Sequence, residues 1–330
     1  MNEVFPVTYS TPSAEALKHV VQEDYSIGLV TDCRFLHRGL NDTFLIVAET
    51  EKFVFRIYRI GWRKYSEILY ELEVLLHLSA RDVSVSKPVM RKDGAFVGAL
   101  EAPEGSRHAV LFSYAPGKDL SLDIEPQSEV YGRAVARVHA ESETFTCSLE
   151  RFQLNLDHLL STPVRTIESF LSHRKDDCEY VNRLAGKLNA MLEALPLQSL
   201  ERGFCHGDFH GANAHLNDDQ VTFFDFDCCG FGWRAYDIAV FRWCARLNAK
   251  EKERWPAFLR GYQNERPLNE LDLHATDIFV AVRHLWLLDL HIRMGCDVGY
   301  SFLNDRYFDR RLEFLRKWEA ESECANASKN

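Results

Sequence analysis

No stretch of this 330-residue sequence approaches the ~20 consecutive apolar residues that a membrane-spanning helix needs. The opening run MNEVFPVTYSTPSAEALK has no basic region followed by an apolar one, so no secretory signal is expected. The P-loop spacing G-x-x-x-x-G-K-[ST] is absent, and so is G-x-G-x-x-G, which excludes the common glycine-rich phosphate loops. Internal repeats and low-complexity linkers are missing too. The nine cysteines form no C-x-x-C pair, and without an export signal they read as reduced thiols of a cytoplasmic protein. A zinc site from Cys205, His206, His210, Cys228 and Cys229 would match no zinc-ligand spacing, and cysteine is among the residues most often simply buried. Positive charge is in deficit: 39 Lys and Arg face 49 Asp and Glu, a net charge of −10 that argues against a general nucleic-acid binder.

What is present is an ordinary globular composition, 46% hydrophobic and 27% charged, at a length that suggests about two domains. Behind a Ser13 cap, residues 13–25 carry apolar side chains at helical spacing. Strands are expected at 27–33, 43–49 and 52–58, the last (KFVFRIY) with strong β bias, and a turn at Gly39–Asp42. Residues 65–80 form an amphipathic helix with Leu69, Leu72, Leu75, Leu76 and Leu78 on its apolar side. Strands at 95–100 and 108–113 follow, then Pro116-Gly117, a turn in any fold. The remainder is mostly helical: 128–141, much of 152–195, then 238–247, 251–264, 270–291 and 305–320, ending in a polar tail at 321–330 that is expected to fray.

The chemistry concentrates between Phe204 and Ala239. His206, Asp208 and Asn213 form one polar cluster, Asp225 and Asp227 a second. Between them lie the turn signal Asn217-Asp218-Asp219 and the short strand QVTFFDF. A carboxylate able to meet a hydroxyl proton, with an amide and a second carboxylate as hard oxygen donors, suits phosphoryl transfer with Mg²⁺. The order is H-G-D-x-x-x-x-N followed by D-F-D, where protein kinases have H-R-D-x-x-x-x-N and D-F-G.

With these motifs and the later Asp237-Ile238-Ala239, the chain resembles the aminoglycoside phosphotransferase and choline kinase-like superfamily. The resemblance is nearest to bacterial homoserine kinase type II-like or stress-response kinase-like phosphotransferases. It implies an α+β, bilobal protein-kinase-like fold, with a small antiparallel-sheet lobe over residues 1–113 that binds nucleotide. A helical lobe over 114–330 would hold the catalytic loop, the metal site and the acceptor pocket. Carried over residue by residue, Asp208 is the base or hydroxyl-orienting group, and Asn213 and Asp225 bind Mg²⁺ that bridges the phosphates of ATP. Asp227 is a further acidic residue near metal or substrate. Arg56 stands where the family's phosphate-pairing Lys is usual, with Glu71 to hold it and Glu73 as the other candidate partner. Gly39 and Asn41 lie on the phosphate-covering hairpin, and Ser113, Tyr114 and Ala115 meet adenine. His206 and Asp237 brace the catalytic loop.

The implied activity is ATP- and Mg²⁺-dependent transfer to a hydroxyl of a small molecule: an amino alcohol, a sugar, a homoserine-like metabolite or an aminoglycoside. Two other readings remain open at this point: a Ser/Thr protein kinase of the stress-response type, and a nucleotide-binding regulator without turnover. No A-P-E segment follows Asp225, and Asp237 arrives twelve residues later, which leaves little room for a peptide-docking platform.

Overall fold

Along Asp42–Ala48 buried and half-buried residues alternate one for one, with Phe44, Ile46 and Ala48 on the covered face. A strand with one packed face requires that period of two. In the computed structural model, which describes residues 5–120 and 125–327, this strand lies within a five-stranded antiparallel sheet. The strands are β1 (Val30–Arg38), β2 (Asp42–Ala48), β3 (Lys52–Ile57), β4 (Val97–Ala102) and β5 (Gly105–Ser113), in the order β1-β2-β3-β5-β4. β1 runs further than the sequence suggests. Residues 35–38 pair with β2 instead of opening a loop, because Phe35 lies opposite Phe44 with ring centroids 5.1 Å apart. The turn is thereby confined to residues 39–41.

The chain divides into two compact units. The first comprises the residues up to Asp119 together with Thr144–Arg151 and Ala214–Asp227. Helix α1 (Ala14–Asp24) starts at Ser13, whose Oγ accepts from Ala16 N–H, and buries Leu17 and Val21 against Phe44, Ile46, Phe53 and Phe55. Helix α2 (Tyr65–Ser79) opens with the Glu67 carboxylate accepting from Lys64 N–H at 2.8 Å, which satisfies one of the free donors of its first turn. A second, three-stranded sheet joins β6 (Lys118–Asp119), β9 (Ala214–Asn217) and β10 (Gln220–Phe223) in the order β10-β9-β6. The segment at 83–89 ties the two sheets. Ser86 N–H donates to Phe223 O at 2.9 Å, and Val89 N–H to Leu111 O at 2.8 Å.

The second unit holds Leu120–Glu143, Phe152–Asn213 and the chain from Cys228 on. Its small sheet has the order β7 (Gln153–Leu154), β11 (Gly230–Trp233), β8 (Arg202–Cys205). The helices are α3 (Glu125–Glu141), α4 (Thr162–Phe170), α5 (Lys175–Glu193), α6 (Arg234–Leu247), α7 (Glu251–Glu265), α8 (Glu270–Val298) and α9 (Asp305–Ala327). α3 and α7 touch backbone to backbone at two glycines. A Cβ on Gly261 would lie 1.9 Å from Glu129 O, and one on Gly132 would lie 2.1 Å from Phe258 O. α8 begins at Asn269, whose side chain accepts from Asp272 N–H. Despite the charged residues in its sequence, the middle of this helix is enclosed nearly all round. Arg283, His284 and Asp289 are as buried as Phe279 and Leu285. Each large apolar side chain so enclosed contributes ~1.5–3 kcal/mol of burial free energy. α9 also exceeds expectation, reaching Ala327, because Lys187 of α5 ties Glu319 and Glu323 on successive turns. Among the described residues no helix is long and apolar enough to cross a membrane.

Candidate active site

The first unit gathers Arg56, Glu71, Asp225 and Asp227. Arg56 points inward from β3, and Glu71 lies on the buried face of α2, 1% exposed. Arg56 Nη1 meets Glu71 Oε1 at 2.6 Å, and Tyr58 Oη donates to Glu71 Oε2 at 3.0 Å. Glu73, the other candidate partner, instead accepts from Cys147 Sγ. The second terminal nitrogen of Arg56 reaches Asp225 Oδ1 at 3.1 Å, and its guanidinium lies 4.9 Å from the centre of the Phe112 ring. Burial pulls against the Arg56 charge, but Glu71 and Asp225 outweigh it and hold the guanidinium firmly protonated. Burial raises the Glu71 carboxyl above its ordinary range, with Arg56 pulling the other way.

Asp225 differs from its neighbours. Its side chain is 46% exposed, so one carboxylate in this charged cluster stays open. Its φ is +60°, the left-handed region that a non-glycine residue occupies only where its surroundings over-determine it. Asp227 is 1% exposed and fully engaged: Trp62 Nε1 donates to Oδ2 at 2.8 Å, and Arg63 Nε to Oδ1 at 3.0 Å. Burial opposes its charge, yet Arg63, Arg56 and Arg151 hold the carboxyl below its usual range.

The remaining candidates of this unit occupy its edges. Gly39 N–H donates to Asn41 O within the β1–β2 turn, and Asn41 Oδ1 accepts from Arg59 N–H at 3.2 Å. Ser113 Oγ accepts from Lys87 N–H at 2.9 Å, Tyr114 N–H donates to Lys52 O, and Ala115 O meets His215 Nδ1 at 2.7 Å. A hollow of about 510 Å³ beside the end of β5 is lined by Lys52, Phe53, Ser113, Tyr114 and Pro116, among others.

The second unit presents the loop after β8. Asp237, at the start of α6 and fully buried, braces it: Oδ2 accepts from His206 N–H and Oδ1 from Gly207 N–H, both at 2.7 Å. His139 Nε2 meets the same carboxylate at 3.0 Å. Gly207 must be glycine, because its φ is +79° and a Cβ would lie 2.3 Å from Cys228 O. Asp208 follows, its side chain 18% exposed. Asn213 Nδ2 donates to Asp208 Oδ2 and to Asp208 O, both at 3.1 Å, so the amide is oriented through its nitrogen and its carbonyl oxygen takes no part in these bonds. His210 Nε2 sits 3.2 Å from Oδ2, and Arg283 of α8 donates to Oδ1. Burial alone would raise the Asp208 carboxyl, but His210 and then Arg283 overcome this and hold it well below the usual carboxylate range.

Four of these partners are not singled out by the sequence as site residues. Trp62 and Arg63 are separated from Asp227 by 165 and 164 positions, Arg151 by 76, and Arg283 from Asp208 by 75. The one local signal is an arginine set in the apolar run of α8.

The sequence pattern of the phosphotransferase enzyme family matches residues 32–271. An uncharacterized protein of Deinococcus radiodurans is 38% identical over 321 residues, covering 96% of this chain and 92% of its own length. A homoserine kinase of Rhizobium etli is 27% identical over 278 residues, 82% of each chain. Among solved structures, an amicoumacin kinase in complex with AMP-PNP, Ca²⁺ and Ami superposes with a TM-score of 0.74 at 21% identity, over 93% of each chain. That likeness shows the fold, and the α+β kinase-like class expected from the sequence is the one found. The match over 32–271 places this chain in the phosphotransferase enzyme family, as a phosphotransferase of the kinase kind, and the loop pinned by Asp237 and the Arg56–Glu71 pair of the sheet unit both lie within the matched stretch.

Proposed function

We propose that this protein transfers the γ-phosphoryl group of ATP to a hydroxyl of a small molecule. An amino alcohol or a homoserine-like compound is the first class to consider. The observation that carries the proposal is the hydrogen bond of Asn213 Nδ2 to Asp208 Oδ2. It sets an anionic acceptor for a hydroxyl proton beside an amide oxygen suited to a hard cation, the two groups such a transfer needs. The homoserine kinase relative and the amicoumacin kinase neighbour, with its bound nucleotide analogue and Ca²⁺, support the substrate class and the cofactors.

In this proposal the sheet unit serves the nucleotide, with Arg56, held by Glu71, pairing with phosphate. Gly39 and Asn41 lie on the hairpin over the phosphates, and Ser113 to Ala115 beside the base. The helical unit serves the acceptor. Among the described residues no group of three or more His, Cys, Asp or Glu is arranged to hold a metal ion. In this proposal the amide oxygen of Asn213 in the helical unit and the open carboxylate of Asp225 in the sheet unit are each a hard oxygen donor of the kind Mg²⁺ takes, alongside water and phosphate. When bound, such an ion would neutralise charge on the transferring group.

Asp208 orients the hydroxyl more than it abstracts its proton. A carboxylate held so far below its usual range is a weak base, and a loose phosphoryl-transfer transition state demands little base strength. The test is ADP release with ATP, Mg²⁺ and a panel of amino alcohols, sugars, aminoglycosides and generic protein substrates. Stimulation by one small-molecule class is expected. Asp208→Asn should lower kcat at least ~100-fold while nucleotide affinity stays within about twofold. Undiminished transfer by Asp208→Asn, or stimulation by proteins alone, would overturn the proposal.

A further inference from the structure

The turn between β3 and α2 reads Tyr58-Arg59-Ile60-Gly61-Trp62-Arg63-Lys64. Two of its side chains converge on Asp227. Besides the two carboxylate contacts, Arg63 Nη2 donates to the Asp227 main-chain oxygen at 2.8 Å and Arg63 Nε to the same atom at 3.1 Å. Arg151 adds a third donor to that oxygen at 2.6 Å, while its other nitrogen holds Glu67 O on α2 at 2.8 Å. Asp227 is thus fixed by both carboxylate oxygens and by its carbonyl. Its charge is answered by arginine, and at 1% exposure it offers no approach to a hydrated cation.

One residue, the fully buried Phe226, separates this anchor from Asp225. Asp225 is the residue held at φ +60° with an open carboxylate. A left-handed aspartate relaxes to ordinary backbone angles unless the chain on both sides is held. Upstream it follows β10; downstream, beyond the buried Phe226, Asp227 is held through its carboxylate and its carbonyl.

We infer that the Trp62–Arg63 turn is a positioning element for the metal ligand Asp225, acting through Asp227, which is a strut and not itself a ligand. The inference rests on the role proposed above for Asp225 and extends it to residues outside the proposed ligand set.

The test reads metal binding directly. Mn²⁺ affinity is measured by the electron paramagnetic resonance signal of free Mn²⁺, with the full-length protein and a non-hydrolysable ATP analogue. Arg63→Ala should weaken Mn²⁺ binding by about tenfold, the usual scale for residues that orient a ligand, with metal-free nucleotide affinity within about twofold. Arg63→Lys should recover part of the loss, since one cationic donor remains. Trp62→Phe, which removes a single hydrogen bond and keeps the aromatic volume, should lie between wild type and Arg63→Ala. It keeps the test decisive should Arg63→Ala fold poorly. Asp227→Asn should weaken binding no more than Arg63→Ala, and far less than Asp225→Asn. The inference is overturned if Asp227→Asn abolishes Mn²⁺ binding as fully as Asp225→Asn. It is equally overturned if Arg63→Ala and Trp62→Phe both bind as wild type. If instead wild type binds no Mn²⁺, or Asp225→Asn binds it normally, the proposed role of Asp225 fails and takes this inference with it.

Discussion

Replacing Asp237 by alanine should loosen the loop after β8 from behind, leaving Asp208 and Asn213 themselves unchanged. The carboxylate is fully buried and accepts three hydrogen bonds, from His206 N–H, Gly207 N–H and His139 Nε2. His139 passes the constraint on, its Nδ1 lying 2.8 Å from Tyr262 Oη. Alanine leaves two buried backbone donors unpaired, at ~1–3 kcal/mol each, and a buried imidazole N–H besides. The sum is on the order of 3–9 kcal/mol, a large part of the 5–15 kcal/mol that holds an ordinary domain together. Asp237→Asn keeps one acceptor oxygen and sets an amide N–H₂ against the other donors, so its loss should be smaller but still above ~1 kcal/mol. Urea denaturation followed by tryptophan fluorescence gives the global figure. Hydrogen exchange of the peptide spanning 204–209 gives the local one, where faster exchange is expected in both variants. Should Asp237→Ala lose less than ~1 kcal/mol, with exchange at His206 and Gly207 unchanged, the loop is held by something else and the reasoning fails.

Three further outcomes follow from the same geometry. Glu71→Ala removes the main counter-charge of a buried guanidinium, so stability should fall by ~3–5 kcal/mol, and nucleotide affinity should fall as Arg56 swings toward Asp225; thermal unfolding and nucleotide titration check both. Gly261→Ala drives a Cβ into the backbone of α3 at Glu129 and should cost about 2–3 kcal/mol of unfolding free energy in urea, whereas Gly186→Ala, exposed inside α5 with open space around it, should gain ~0.5–1 kcal/mol. His284 is buried, accepts from Trp243 Nε1 on Nδ1 and meets Arg311 O through Nε2, so it must stay neutral; burial, aided by the Arg311 charge, lowers its pKa to about 3. Below pH ~6.5 the unfolded chain binds a proton that the folded one refuses, so stability should fall by up to ~1.4 kcal/mol per pH unit between about pH 6 and 4 on this account, and His284→Gln should flatten that slope.

The site's two sequence clusters are legible in the chain alone because each is a local matter. In His206 to Asn213 the spacing places an amide within reach of the carboxylate five residues before it, and a glycine stands where φ must be positive. In Gln220 to Asp227 a short strand ends in an aspartate. The helices follow from their period in the same way, and so does the sheet, except that strand β1 overran its expected end because Phe35 found Phe44. The pairing of Arg56 with Glu71 is implied by the family resemblance, with Glu73 as the other candidate; the short contact that decides between them is a fact of the fold. Other features were decided by tertiary structure. Arg283 serves Asp208, Trp62 and Arg63 seize Asp227, the middle of α8 is enclosed nearly all round, and residues 144–151 and 214–227 join the amino-terminal unit. Hydrogen-bonding and apolar periodicity act over a few residues and leave their mark in the order of the chain. The partner of a buried charge is chosen by where distant segments come to lie, and a sequence window of any ordinary width does not contain both ends of that bond.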